Sequence, residues 1–178
     1  MKVSELRDAF EALVDDRVNN FILIIWLNEA QEDISLYYSP VESVELYAEA
    51  MVYKELPEDL LRVIEVKDEN ENVCRNFEIT EYGHIRFADT GTYTIYYNRK
   101  PKDMPLGEDD AKPDLPELLH KPLYVFAASR FFDRESIGDP EESQFAQKLM
   151  EQYRQMVTAR ANKLRARRSK KLSMVAEE

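Results

Sequence analysis

The sequence predicts an α+β protein: a four-helix core, two helices from each end of the chain, with an inserted antiparallel β-meander and a projecting basic C-terminal helix. Three observations carry this reading. Apolar residues step by three and four before about residue 37 and again after about residue 117. Between Val44 and Arg99 they fall instead into short runs rich in Val, Ile, Tyr and Thr, divided by tight-turn sequences. After Pro140 there is neither proline nor glycine, so the last helix has no internal stop. The 178 residues fit one domain, expected over 1–159, followed by a basic arm over 160–178.

The first helix is expected over about 4–18. Ser4, followed by Glu5 and Asp8, supplies the start, and Leu6, Ala9, Phe10, Leu13 and Val14 form the inward stripe. Asp15-Asp16 and Asn19-Asn20 mark a break, and a second helix is expected over about 21–37. Leu23, Leu27, Ala30, Ile34 and Tyr37 lie on one face of it, while Ile22, Ile25 and Trp26 are apolar off that face. A helix apolar on more than one side must be covered on more than one side, so either the β part packs on these three residues or a neighbouring subunit does, which makes them candidates for a subunit interface.

The β insert is expected over about 44–99. Its strands are Leu46 to Tyr53, Leu61 to Val66, Phe77 to Thr80, His84 to Phe87 and Thr92 to Tyr97, with turns at Glu81-Tyr82-Gly83 and Asp89-Thr90-Gly91. Short connections imply antiparallel neighbours, because a parallel pair needs a crossover of about a dozen residues. Residues 100–116 hold four prolines and the run Glu108-Asp109-Asp110, a long loop of the kind that forms a contact surface or moves. A third helix is expected over about 117–135, Pro122 favouring a start near Lys121. Asp139-Pro140-Glu141-Glu142 offers a cap, an N1 proline and first-turn acids, so the fourth helix is expected over about 140–168. Were it to reach Lys170 it would be roughly 45 Å long at 1.5 Å per residue.

Charge is unevenly placed. The net charge is −11, yet residues 160–178 hold seven bases and two acids, so that segment carries +5 and the other 159 residues carry −16. The bases are Arg160, Lys163, Arg165, Arg167, Arg168, Lys170 and Lys171, and two readings stay open. They are either a solvated helix end favoured by the dipole or an arm that seeks an acidic surface. Apolar residues at 44% and charged residues at 33% exclude global disorder. The apolar run Phe21 to Leu27 is far short of the roughly 20 residues that cross a bilayer. One cysteine, Cys74, excludes an internal disulfide and cysteine-rich zinc frameworks, and points to a reducing compartment.

Catalytic chemistry finds little support. Glu81–His84 and Glu117–His120 both match Glu-x-x-His, whose paired form builds di-iron sites when both copies lie on helices. The first contains Gly83 in a turn and the second sits at a helix start, so both histidines read as surface residues beside surface glutamates. Cys74 reads as a structural thiol at a strand edge. Among 35 acids, adjacent carboxylates such as Glu58-Asp59 arise by chance. No catalytic residue, metal or cofactor is expected. Duplex DNA would find phosphate-binding cations in the arm, with affinity falling in salt, but the acidic body would repel it.

Several segments together resemble the head-to-tail adaptor (connector) proteins of tailed bacteriophages. They are Trp26-Leu27-Asn28-Glu29-Ala30-Gln31-Glu32-Asp33-Ile34, Leu56-Pro57-Glu58-Asp59-Leu60-Leu61-Arg62-Val63 and Tyr96-Tyr97-Asn98-Arg99-Lys100-Pro101. Leu115-Pro116-Glu117-Leu118 and Ala127-Ala128-Ser129-Arg130-Phe131-Phe132 complete the set. The last of these, with the helix begun at Asp139, is also similar to podoviral tail tubular, gatekeeper-type proteins. The likeness covers roughly residues 4–165.

The resemblance implies a structural virion protein at the head-to-tail neck, made in the host bacterial cytoplasm. It implies a homo-oligomeric ring, usually of twelve copies, docked on the portal ring and meeting the next neck or tail protein. Genomic DNA would pass through the lumen without specific recognition, and no membrane or enzyme activity is involved. In such proteins the C-terminal segment reaches the portal, which would make Arg160, Lys163, Arg165, Arg167, Arg168, Lys170 and Lys171 portal-binding. The alternative from the residues alone is a DNA-binding accessory protein that uses the same arm.

Overall fold

The computed structural model describes residues 1–135 and 139–175, with side chains described as far as Arg167. The protein is α+β, its described residues forming four α-helices and two antiparallel three-stranded sheets. The chain divides into two compact units. Residues 1–38 and 101–178 make the helical unit, and residues 39–100 make the sheet unit.

In the helical unit, α1 (Val3–Val14) and α2 (Asn20–Ser35) precede the insert, and α3 (His120–Glu135) and α4 (Pro140–Val175) follow it. The first helix stops earlier than expected because Asp15 takes a left-handed conformation, φ 55°, and its N–H closes on the Glu11 carbonyl. Ser4 is not its cap. Lys2 occupies that position, its N–H held by the Glu5 carboxylate at 2.8 Å. A 3₁₀ turn, Glu117–Leu119, leads into α3 and places Pro122 in the first helical turn, where its missing N–H costs nothing. Asp139 caps α4, accepting the Glu141 N–H at 2.8 Å.

The third helix packs against each of the other three helices. From Pro122 to Ser129 only Tyr124 is not fully buried, and the run Ala127-Ala128-Ser129 keeps its surface small. Val3, Leu6 and Phe10 of α1, Leu23, Leu27 and Ile34 of α2, and Leu149, Tyr153 and Val157 of α4 share one buried cluster with it. Phe126 meets Tyr153 edge-on at 5.2 Å, and the Tyr153 hydroxyl donates to Asp33 at 2.6 Å.

The segment 100–116 is expected as a contact surface or mobile loop, but its inner side is fastened to α1 and α2. Asn28 makes a two-bond clasp on Met104, accepting its N–H at 2.9 Å and donating to its carbonyl at 3.0 Å. Gln31, 1% exposed, accepts from the Asp114 N–H at 2.8 Å and donates to the Lys102 carbonyl at 3.2 Å. The acids of this loop are also used internally. Asp109 lies 2.5 Å from Arg7 and Asp110 lies 2.6 Å from Lys2, while the Asp109 and Ala111 carbonyls receive the first N–H groups of α1. Arg7 and Asn20 together hold the Asp109 carboxyl below the usual carboxylate range.

In the sheet unit the order is β1 (Val41–Ala48), β2 (Lys54–Glu55), β3 (Leu60–Asp68), β4 (Phe77–Ile79), β5 (His84–Phe87) and β6 (Gly91–Arg99). The expected meander is replaced by two sheets, β1-β6-β3 and β2-β5-β4. Strand β6 is central in the first and pairs with β1 from the far end of the insert. Turn sequences locate strand ends but do not choose partners, which accounts for the difference. The first strand also lies earlier than expected. It ends at Ala48, and Met51 then turns the chain at φ 63°. Val66, Ile85, Phe87, Tyr93 and Ile95 form the core, with Phe87 and Tyr93 stacked at 3.8 Å. Gly83, φ 74°, permits the turn between β4 and β5.

Replacing Gln31 by Met keeps its volume but strands the Asp114 N–H and the Lys102 carbonyl. The variant is expected to lose roughly 2–4 kcal/mol in a denaturant titration and to become protease-sensitive between 100 and 116.

Candidate functional site

The basic end of α4 is the first surface of interest. Ala146, Leu149, Tyr153, Val157 and Ala161 are buried along one stripe of the helix, and Leu164 is half-buried on the same cluster. The next positions on that stripe are 167 or 168 and 171, all basic in the sequence. The stripe therefore changes from apolar to cationic where the core ends. Helix continues from Leu164 to Val175, about 16 Å more.

The seven cations expected as one arm divide. Arg160 is half-buried and donates to the Leu118 carbonyl at 2.7 Å, within the 3₁₀ turn. Arg165 donates to the Tyr37 carbonyl just beyond α2. Lys163 and Arg167 are exposed. The side chains of Arg168, Lys170 and Lys171 lie outside the described ones, although the backbone there is helical. Two of the seven thus bind carbonyls of their own helical unit, an engagement that charge counting could not reveal.

The outer face of α2 is the second surface. The Asn19 side chain caps the helix by accepting the Phe21 N–H at 2.9 Å. Of the expected interface residues, Ile25 is 49% exposed, whereas Ile22 and Trp26 are half-buried. Trp26 lies 6.4 Å from Phe10, within the helical unit. Phe21 and Leu36, at 54% and 78% exposure, extend the surface and were not singled out from sequence. Their signal was available: positions 21, 25, 32 and 36 fall on one helix face. That face also carries Glu32, and Glu29 beside it reaches Arg130 of α3 at 3.5 Å.

The residues tested for catalysis are placed differently. His120 is a correction to the expected surface histidine: it is 3% exposed, with Nε2–H donating to the Leu115 carbonyl at 2.8 Å and Nδ1 accepting from the Met1 nitrogen at 2.8 Å. Burial lowers its pKa below 6.5, the Leu115 bond partly opposing the shift. Glu117 is exposed and lies 3.9 Å from the same Met1 nitrogen. His84 is half-buried on β5, and Cys74 is half-buried with its N–H on the Val66 carbonyl at 2.8 Å. Among the described residues no group of His, Cys, Asp and Glu is arranged to hold a metal ion. No described helix is long and apolar enough to cross a membrane.

An α+β chain with an uncovered apolar helix face and a helix that outruns its own core has the features of an assembly protein. A family model described as "SU10 adaptor protein" matches residues 1–175, and the chain belongs to that family. It is a structural adaptor protein of bacteriophages, a virion component that associates with other head and tail proteins, and such adaptors are not an enzyme class. A comparison with curated proteins finds no match.

Two outcomes follow from this geometry. Cutting the chain after Ala159 removes Ala161, Leu164 and the Arg160 bond, and is expected to cost roughly 2–4 kcal/mol in denaturant, whereas a cut after Arg165 leaves stability near that of the full chain. For His120, the unfolded chain takes up a proton at about 6.5 and the folded chain only at lower pH. Its contribution is therefore complete above pH 6.5 and declines as pH falls below it. Melting temperatures between pH 7.5 and 5 are expected to fall less steeply in His120→Gln.

Proposed function

We propose that the protein is a head-to-tail adaptor subunit whose copies close into a ring, twelve in number, docked on the portal and continuing its DNA channel toward the tail. The helices would act together as the ring-forming core, with the outer face of α2 against a neighbouring copy. Heterologous contacts of this kind generate rings when the rotation closes. The distal part of α4 would reach an acidic portal surface through Lys163, Arg167, Arg168, Lys170 and Lys171. The net −16 outside residues 160–178 supports passage of DNA without retention, since like charge suppresses phosphate binding. The observation that carries the reading is the conversion of the α4 stripe from apolar to basic beyond Leu164.

On this reading the docking part of the arm would begin, Lys163 apart, after Arg165. Arg160 and Arg165 are engaged within the helical unit, so residues 160–165 serve the fold as well. The test is to mix purified protein with the portal ring encoded by the same genome and image the products, running the full chain beside a 1–165 version. Extra density beneath the portal with the full chain, lost with the shortened one, is the expected result. Undiminished docking by 1–165 would remove the arm's role. Duplex DNA added as a competitor separates the alternative: salt-sensitive DNA binding through residues 166–178, with no portal binding, would make this a DNA-binding accessory protein.

A further inference from the structure

The two sheets present four edges, and three of them are closed to an incoming strand. β2 has two residues and β4 three, too few to template a partner. β3 has nine, but its register with β6 shifts between Leu60 and Arg62 and again between Val63 and Glu65. Each shift bulges the strand and leaves an apolar residue, Leu61 or Ile64, exposed. Toward its end Lys67 is bridged by Val73, and the Cys74 N–H occupies the Val66 carbonyl. Short length, bulges and cover are the devices by which sheets protect their edges.

β1 has none of these. Its eight residues pair with β6 in unbroken register, from Val41 opposite Asn98 to Ala48 opposite Gly91. The Arg99 N–H donates to the Pro40 carbonyl at 3.0 Å, which sets the alternation along the strand. Glu42, Val44 and Leu46 then bond to β6, and the N–H and C=O groups of Val41, Ser43, Glu45 and Tyr47 face away from it. Among the described residues no hydrogen bond reaches those outward groups, and all four residues are exposed.

The charge on this edge selects a partner. Residues 39–53 hold Glu42, Glu45 and Glu49 and no lysine or arginine. Glu42 is engaged by Arg99 at 2.7 Å, and no described cation pairs with Glu45. Like charges disfavour pairing β1 with a second copy of itself, while cations placed opposite Glu45 are favoured. We propose that the outer edge of β1 is a docking site for an extended segment of a partner protein in which lysine or arginine alternates with aliphatic residues. Main-chain bonds would run to Val41, Ser43, Glu45 and Tyr47. The partner's cations would share the face of Ser43 and Glu45, and its aliphatic residues the face of the half-exposed Val44 and Leu46. This site lies in the sheet unit and does not depend on the portal-docking role of α4.

The test uses the full chain and two blocked eight-residue peptides, one alternating lysine with valine and the other glutamate with valine. Amide exchange is followed residue by residue as each peptide is added. The lysine peptide is expected to slow exchange at Val41, Ser43, Glu45 and Tyr47 at least tenfold, and the glutamate peptide to leave them unchanged. Ser43→Pro deletes an outward N–H and spares the β1–β6 ladder, so it should retain the melting temperature and lose the protection. Glu45→Lys keeps every main-chain group and should weaken the lysine peptide at least fivefold. The proposal is overturned if the lysine peptide protects none of the four amides. It is equally overturned if protection persists in both variants, or if the chain alone protects them by self-association.

Discussion

Everything in the helical unit depends on α3 being covered around its circumference. A helix with nearly every residue from Pro122 to Ser129 buried cannot lie on a surface, so α1, α2 and α4 are each required to shield part of it. The small side chains Ala127, Ala128 and Ser129 allow close approach, and the large residues Phe126 and Tyr153 fill the space that remains. Once that packing is made, polar groups settle what apolar packing leaves open. Tyr153 locks α4 to Asp33 of α2, and Asn28 and Gln31 fasten the segment 100–116 along the same helix.

Much of this architecture was visible in the sequence, because helix signals are local. Asp139-Pro140 set the start of α4, and Pro122 the late start of α3. The step pattern in α2 found Leu23, Leu27, Ala30 and Ile34, all buried, but also took in Tyr37, which lies beyond the helix and is exposed. The step pattern says nothing of polar residues whose partners lie far along the chain. Asn28 and Gln31 are polar and mid-helix, and only the return of residues 102–114 gives them their partners, burying Gln31 and half-burying Asn28. His120 appeared to be a surface residue for the same reason. The pairing of β1 with β6 and the bulges of β3 are likewise long-range outcomes that alternation within one strand does not encode.

The candidate surfaces were legible to a similar depth. Charge counting located the basic segment but could not separate Arg160 and Arg165, whose targets are backbone carbonyls, from Lys163 and Arg167. Off-stripe apolarity pointed to α2 and to Ile25, yet Trp26 found Phe10, and Phe21 and Leu36 hold more of the exposed area. Membership of the adaptor family accords with a chain whose unusual features are surfaces rather than clefts.

The chain enters and leaves the sheet unit at adjacent strand ends, Val41 beside Asn98, sealed by the Arg99–Pro40 bond. This has a kinetic meaning. Residues 1–38 must find residues 101–175, and with residues 39–100 unfolded that search is a long loop closure. A folded insert ties the loop's two ends together and shortens the closure to a few residues, a saving of about 2 kcal/mol in chain entropy. An insert that folded first would act as a clasp hastening assembly of the helices through connectivity alone, and exchanging its outer loops would leave that service intact.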